Sequence, residues 1–540
     1  MCRPGTLCAG RALGAKPVKG EGDLASALHA LKSAEFLYEQ ALYPVAEYVF
    51  KHPLTQEVAY GSQLQDRRAP VHAAVARALE AANADKLDEQ AALLAHHWEA
   101  AGEALAAARW HRRAAEWAGR SDPTQGMRHM RRVLALTADL DASDERSALR
   151  LDACRSLLIQ GGWRVGLSSE EVEQLFAEGR TLATRSADVD KTIGLYVGYA
   201  VVVGVGGNVR RFHEISREAF DLIDARVSPG PRAVVLVIMS FSSLCLGRIR
   251  DALEFAERVP SVVKGDPNAG IETAGYSGLD WSFQMRARLR AYLGCLDDAR
   301  VLVREGIRRA RSRGPSEALI WNLAATAEIS DCSGDSAASP LGQEARRYAL
   351  EAVDLAERIG SHFSRVFAYW RLGLAQVRHS DWRAAAEALE GALALARQYR
   401  TGLQNESTIL ADLSRAYLGQ EEVVRARAAA EQAIERAGAQ GARYFECLGW
   451  LALARALRAE QSAAAGDEIE RCLGRALDLV NETEARAVEP QIIEERARLA
   501  QLRGDDATAT AELQRAHALY VAIGATGHAE RLAEELGLKR

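Results

Sequence analysis

From about residue 83 to the C-terminus, apolar residues recur at three- and four-residue steps, as in "DARVLVREGIRRA" (298–310) and "AAAEALEGALALARQ" (384–398). That spacing puts the apolar side chains on one face of an α-helix and the charged ones on the other. Strand signals are nearly absent after residue 60, so the expected class is all-α. Glycine punctuates the pattern. Turns are expected at Gly207, Gly247, Gly294, Gly334, Ser380, Gly419, Gly466 and Gly504, separated by 40, 47, 40, 46, 39, 47 and 38 residues. Such regularity predicts a two-helix unit repeated about eight times, with a left-handed residue closing each turn.

Five residues after the turn, alanine stands at Ala252, Ala299, Ala385 and Ala509, where a small side chain lets the paired helices approach closely. Tyr292 and Tyr417 each precede their turn by two residues, and a ring there covers the seam. Units of this kind cannot bury their faces alone; stacked, they form a superhelix with a concave side. A shorter pair, Leu93–Ala118, is expected to turn at Gly102. Ser168 is placed to cap a helix, with Glu171 three residues on. The segment Cys332–Gln343, "CSGDSAASPLGQ", reads as a loop-like insertion.

The N-terminal part has a different texture. "AEYVFKH" (46–52) is β-prone, and Pro53 ends it and opens a helix expected from Leu54 to about Gln65, with Leu54, Val58 and Leu64 on one face. A second helix is expected after Pro70, with a Val71, Val75 and Leu79 stripe. A strand beside two helices suggests the end of a winged-helix-like module. The expected organisation is therefore residues 1–24 as an unrelated or disordered tail, 25–82 as the winged-helix-like end of an ATPase arm, 83–190 as helical linker repeats, and 191–540 as repeats.

Composition narrows the function classes. Apolar residues make up 48% and charged ones 26%, enough for a sizeable soluble core. A formal net charge of −5 gives no electrostatic reason to expect nucleic acid or an anionic membrane as a partner. Eight cysteines without a C-x-x-C pair fit single thiols in a reducing cytoplasm. The longest uncharged run, Thr192–Asn208, is short and glycine-broken, so it reads as a buried helix.

The string from Ala34 to Glu80 keeps Phe50, Lys51, His52, Leu54, Glu57, Val58, Ala59, Tyr60, Arg67, Arg68, His72 and the ending "VARALE". It resembles the segment that closes the ATPase arm in bacterial proteins joining a class III adenylate/guanylate cyclase domain, a STAND-type (AAA-like) ATPase and tetratricopeptide repeats. "LAHHWEAAGE", "GWRVGLS" and "IGATGHAERLAEELG" look like later landmarks of that family, so the likeness extends over about residues 25–540. "AYLGCLDDA" (291–299) resembles the tetratricopeptide turn, at a period longer than 34 residues. The family's catalytic domains are expected upstream of Met1. No G-x-x-x-x-G-K-[ST] occurs; "GRALGAK" lacks its spacing and hydroxyl, and "GVGGNV" lacks the third glycine of a dinucleotide fingerprint.

The resemblance implies that His52 senses a nucleotide phosphate held by an ATPase domain, the alternative being a histidine bonded within its own module. Arg67 and Arg68 either contact that ATPase domain or end a solvated helix. His96 and His97 lie about 100° apart on a helix, without carboxylates at zinc spacing. Trp281 and Trp321 each stand 13 residues before a turn glycine, so they occupy equivalent places in successive first helices. Such rings either anchor a partner peptide in the concave groove or fill the inter-repeat core. The expectation is a non-catalytic interaction and sensor module, a tetratricopeptide-like α-solenoid needing no cofactor. It would bind a protein or peptide and relay that event to an ATPase and a cyclase. A transcriptional regulator is the second reading, but no basic recognition helix follows "ERLAEELGLKR".

Overall fold

The computed structural model describes residues 6–8, 21–41, 47–82, 84–119, 122–186, 188–460 and 465–538. The chain divides into two units, Met1–Ala153 and Cys154–Arg540.

In the first unit, strands β1 (Thr6–Cys8), β2 (Leu37–Ala41) and β3 (Glu47–Phe50) form an antiparallel sheet in the order β1-β3-β2. Helix Glu21–Ser33 precedes β2, and six α-helices follow β3: Pro53–Gly61, Gln65–Ala82, Leu87–Ala100, Ala104–Ala118, Pro123–Leu136 and Asp144–Ser156, the last ending three residues past Ala153. Pro53 sits at the first helical position, where its missing N–H costs nothing. Two sequence expectations are corrected here. The second helix begins at Gln65, with Pro70 inside it. Its buried face is Ala73 and Ala76, which pack with Leu94, Trp98 and Ala107, while Val71 stays 53% exposed. Alanines one turn apart allow close helix contact, and that outweighs the larger area offered by the valines. The Leu54–Val58–Leu64 face is likewise exposed.

In the second unit, a π-helical segment, Leu157–Gly166, leads into helix Ser169–Ala183, where the Ser168 hydroxyl accepts from the Glu171 N–H as the capping pattern predicts. Helix pairs follow. Their first helices are Val189–Val205, Pro229–Cys245, Gly278–Tyr292, Glu317–Ser333, His362–Arg378, Glu406–Gly419, Arg443–Ala459 and Glu489–Leu502. The second helices begin at Val209, Ile249, Leu296, Pro340, Trp382, Val423, Gly466 and Asp506, and Thr526–Glu535 ends the array. This is an all-α, tetratricopeptide-like solenoid. Ala252, Ala299, Ala385 and Ala509 are all buried at the pair contacts. Among the described residues, no helix is long and apolar enough to cross a membrane.

Gly207, Gly247, Gly294, Gly334 and Gly504 take the expected left-handed conformation, and Ser380 takes it with a side chain, at φ 56°. Two expected turn glycines do something else. Gly419 is the last residue of its helix and Glu421 is left-handed instead, at φ 63°. Gly466 begins a helix. At Gly419 the constraint is contact: an added Cβ would lie 2.0 Å from Trp382 Cδ2. The expected loop at Cys332–Gln343 contracts to Gly334–Ser339, because helices Glu317–Ser333 and Pro340–Ile359 extend into it.

Opposite outcomes are therefore expected at two turns. Gly419→Ala should lose about 1–3 kcal/mol by overpacking against Trp382. Ser380→Gly should gain up to about 1 kcal/mol by relieving the left-handed backbone. Denaturant melts check both; equal effects of one sign would refute the turn geometry.

Candidate functional site

The first helices of the solenoid carry aromatic and charged side chains that nevertheless lie buried. At one end of this lining, Trp281 and Trp321 meet with ring centroids 5.5 Å apart, as their equivalent positions in successive helices require. Tyr276 stands edge-on to both, at 4.9 and 5.2 Å. Trp163 arrives from the π-helical segment, 6.0 Å from Trp321, and Phe363 lies 5.7 Å from Trp163. Beside this nest the Arg164 guanidinium lies 4.8 Å from the Trp163 ring centroid, and its Nε donates to Glu317 Oε2 at 3.0 Å. The Trp321 indole N–H is buried without a hydrogen-bond partner.

Seven residues further along two of these helices the lining becomes ionic. Arg288 Nε donates to Glu328 Oε2 at 2.5 Å, and the Tyr292 hydroxyl donates to Glu328 Oε1. Arg371 Nη2 stands 2.8 Å from the same Glu328 Oε2, with its guanidinium stacked 3.5 Å from the Trp370 ring centroid. Next to this triad, Arg415 forks onto both oxygens of Asp331 at 2.7 and 3.0 Å and reaches Asp412 at 3.3 Å. Asp412 also accepts the Trp370 indole N–H at 2.8 Å. His528 Nε2 lies 3.2 Å from the Asp331 carbonyl, which can only accept, so the Nε2–H tautomer is the bonded one.

Environment separates these carboxyls. Burial pushes Asp331 up, but Arg415 and Arg378 overcome it and hold the group down at about 2. Burial of Glu328 is likewise outweighed by Arg288 and Arg371, which keep it below its usual range. At Asp412 burial wins, and the carboxyl is pushed up to about 6. Burial also drives His528 down to about 3, so it is neutral at ordinary pH.

In the first unit, landmark residues of the family-like strings come together. The Arg68 guanidinium lies 4.5 Å from the Tyr60 ring centroid, and Tyr60 Oη is 2.9 Å from His72 Nε2. His72 and His97 face each other Nδ1 to Nδ1 at 2.9 Å, with the His96 ring edge-on to His72. Glu80 accepts the indole N–H of both Trp98 and Trp110, at 2.8 and 2.9 Å. A second histidine pair, His111 and His129, also meets through Nδ1 atoms, at 2.8 Å. Burial and the neighbouring His72 and His96 push His97 down to about 4, so its ring is neutral near pH 7. Among the described residues, no three His, Cys, Asp or Glu side chains converge as metal ligands.

His52 caps helix Pro53–Gly61 through its backbone, its ring exposed and making no cap bond. Arg67 is exposed, and Arg68 half-buried on Tyr60. Trp163, Tyr276 and Phe363 escaped sequence reasoning because they lie outside the equivalent-position pattern that singled out Trp281 and Trp321.

No protein-family model matches the chain, and no curated protein matches it. Solved structures do resemble it. The crystal structure of Rap protein complexed with competence and sporulation factor is similar over 73% of this chain and 100% of that one, with a TM-score of 0.50 and 12% identity. That of NprR in complex with its cognate peptide NprX is similar over 69% of this chain and 97% of that one, with a TM-score of 0.44 and 15% identity. At such identity the likeness to Rap concerns fold, and it agrees with the helical-repeat solenoid described above.

The displaced Asp412 carboxyl gives a pH signature. In the folded chain it keeps its proton up to about pH 6, whereas the unfolded chain releases it near 4. Stability therefore falls as pH rises between those values, and the cost persists above them. Asp412→Asn retains an acceptor for Trp370 without the charge. Its melting temperature should exceed that of the wild type above pH 6, with the margin vanishing toward pH 4. A pH-independent difference would contradict the assignment.

Proposed function

We propose that this chain is a non-catalytic interaction and sensor module whose solenoid interior binds a peptide or protein segment. The observation that carries this is the lining itself: first helices that bury Trp281, Trp321, Tyr276 and the Arg288–Glu328–Arg371 group where an inert core would hold aliphatic side chains. Buried aromatic and arginine side chains are the usual anchors of recognition. The likeness to Rap, seen in complex with competence and sporulation factor, supports the same use of the fold. Trp281 and Trp321 are only 6% and 4% exposed, so a partner reaches them by parting helix pairs. Binding and opening are then one event, which is what a sensor requires.

In the larger architecture that the sequence resembles, this event passes to an ATPase and a cyclase domain. His52 and Arg67, exposed at the helices after β3, and Arg68 beside Tyr60, are the groups we assign to the ATPase contact. Cys245, Cys295, Cys332, Cys447 and Cys472 are free thiols, which supports a reducing cytoplasmic setting.

The experiment is selection from a dodecapeptide library, followed by calorimetry on the selected peptide. We expect a Kd of order 1 μM, about −8 kcal/mol, with a change in tryptophan fluorescence. Trp321→Ala should weaken binding at least tenfold while Trp321→Phe largely restores it. Undiminished binding by a folded Trp321→Ala variant would remove the nest from the reading. The purified chain should make no cyclic nucleotide and release no phosphate above background from ATP or GTP with magnesium or manganese. Turnover persisting in His52→Ala at high purity would overturn the non-catalytic assignment.

A further inference from the structure

In the ionic part of the lining, two buried guanidiniums share one carboxylate. Arg288 and Arg371 are 2% and 1% exposed, and both lean on the single carboxylate of Glu328. The other nearby carboxylates are engaged elsewhere: Asp331 is held by the Arg415 fork and faces Arg378, and Asp412 is shared by Arg415 and Trp370. Asp335, on the following turn, faces Arg300 and Arg378, and Arg300 also pairs with Asp297.

Sharing leaves one edge of one side chain without an acceptor. Arg371 Nε and Nη2 are buried without a hydrogen-bond partner; the approach of Nη2 to Glu328 satisfies distance and charge but not direction. Nε–H and one Nη2–H point the same way along the side of the guanidinium, the arrangement that receives the two oxygens of a carboxylate. Trp370 covers one flat face of the group, so the edge carries its free donors. The Ser414 hydroxyl, on the first helix Glu406–Gly419, is also buried without a partner. A buried N–H edge without an acceptor is costly, and a second carboxylate would satisfy it.

We propose that the Nε/Nη2 edge of Arg371 is a carboxylate-binding site inside the solenoid, completing the Arg288–Glu328–Arg371 group. The carboxylate can come from a free small acid or from the end of a bound peptide, and the chemistry at Arg371 is the same. The peptide source rests on the function proposed above; the site itself does not.

The test uses the full chain and follows its melting temperature at fixed pH and ionic strength as sodium acetate replaces sodium chloride. Two further probes are N-acetyl-Ala-Ala as the free acid and as its C-terminal amide. A ligand that binds the folded state alone raises the midpoint with concentration, so the wild type should gain a few degrees once acetate passes its Kd. Arg371→Met should abolish the acetate response. Glu328→Gln, which removes the one shared carboxylate, should steepen it. Equal acetate responses in wild type and Arg371→Met would overturn the site. Should Arg371→Met fail to fold, a Glu328→Gln response no steeper than wild type would overturn it instead. A response to the free-acid dipeptide and not to its amide supports a peptide terminus as the source; a response to acetate of equal size supports any small carboxylate. Failure of the acetate arm while library peptides still bind leaves the functional proposal standing. The reverse result leaves the site standing without it.

Discussion

The second unit depends on contacts between its own superhelical turns. At Gly247 an added Cβ would lie 2.8 Å from the Tyr444 backbone nitrogen, and at Gly334 it would lie 2.5 Å from that of His528. Gly207 and Gly294 press in the same way on Leu403 and Ile523. Most of these partners lie about 195 residues further along the chain, roughly four and a half helix pairs. A left-handed turn residue without a side chain thus serves twice. It closes its own helix pair, and it lets a later pair come down onto the turn. Arg250 paired with Glu484, and the Ala487 N–H donated to the Tyr292 carbonyl, hold the same seam.

Tight coiling explains why the first helices are buried on nearly every side while second helices such as Leu296–Arg311 keep a charged outer face. Polar side chains on the inner face are then removed from water and must find partners in protein. Glu328 and Asp331 do so and stay ionised. Asp412, sharing Arg415 with Asp331, is pushed toward the protonated form. Buried ion pairs of this kind contribute little net stability relative to apolar packing.

The first unit uses polar contacts differently. Tyr60, Arg68, His72, Glu80, His97 and Trp98 are scattered through the strings that resemble the cyclase–ATPase family, yet they form linked contacts across consecutive helices. Four of these six, Tyr60, Arg68, His72 and Glu80, lie within residues 50–80, and the other two on the helix Leu87–Ala100. The exposed His52 and Arg67, and the uncovered face of Leu54, Val58 and Leu64, take no part in that network.

Local physics made much of this legible in the sequence. Three- and four-residue periodicity determined the helices, the cap at Ser168 follows from hydroxyl chemistry, and glycine spacing revealed the helix pairs because a left-handed turn rarely tolerates a side chain. Where local rules competed, sequence reasoning chose wrongly. Gly419 looked like a turn but serves contact with Trp382, and Val71 looked like core where Ala73 and Ala76 pack. Equivalent positions revealed Trp281 and Trp321, whereas Trp163, joined to them from more than a hundred residues away, left no trace in the repeat. The pairing of Arg288, Arg371 and Glu328 was equally hidden, because charges on different helices have no sequence period in common. Helices and their turns are set by neighbours within a few residues, but the aromatic nest, the displaced acid and the unpaired guanidinium edge arise only when the solenoid coils onto itself.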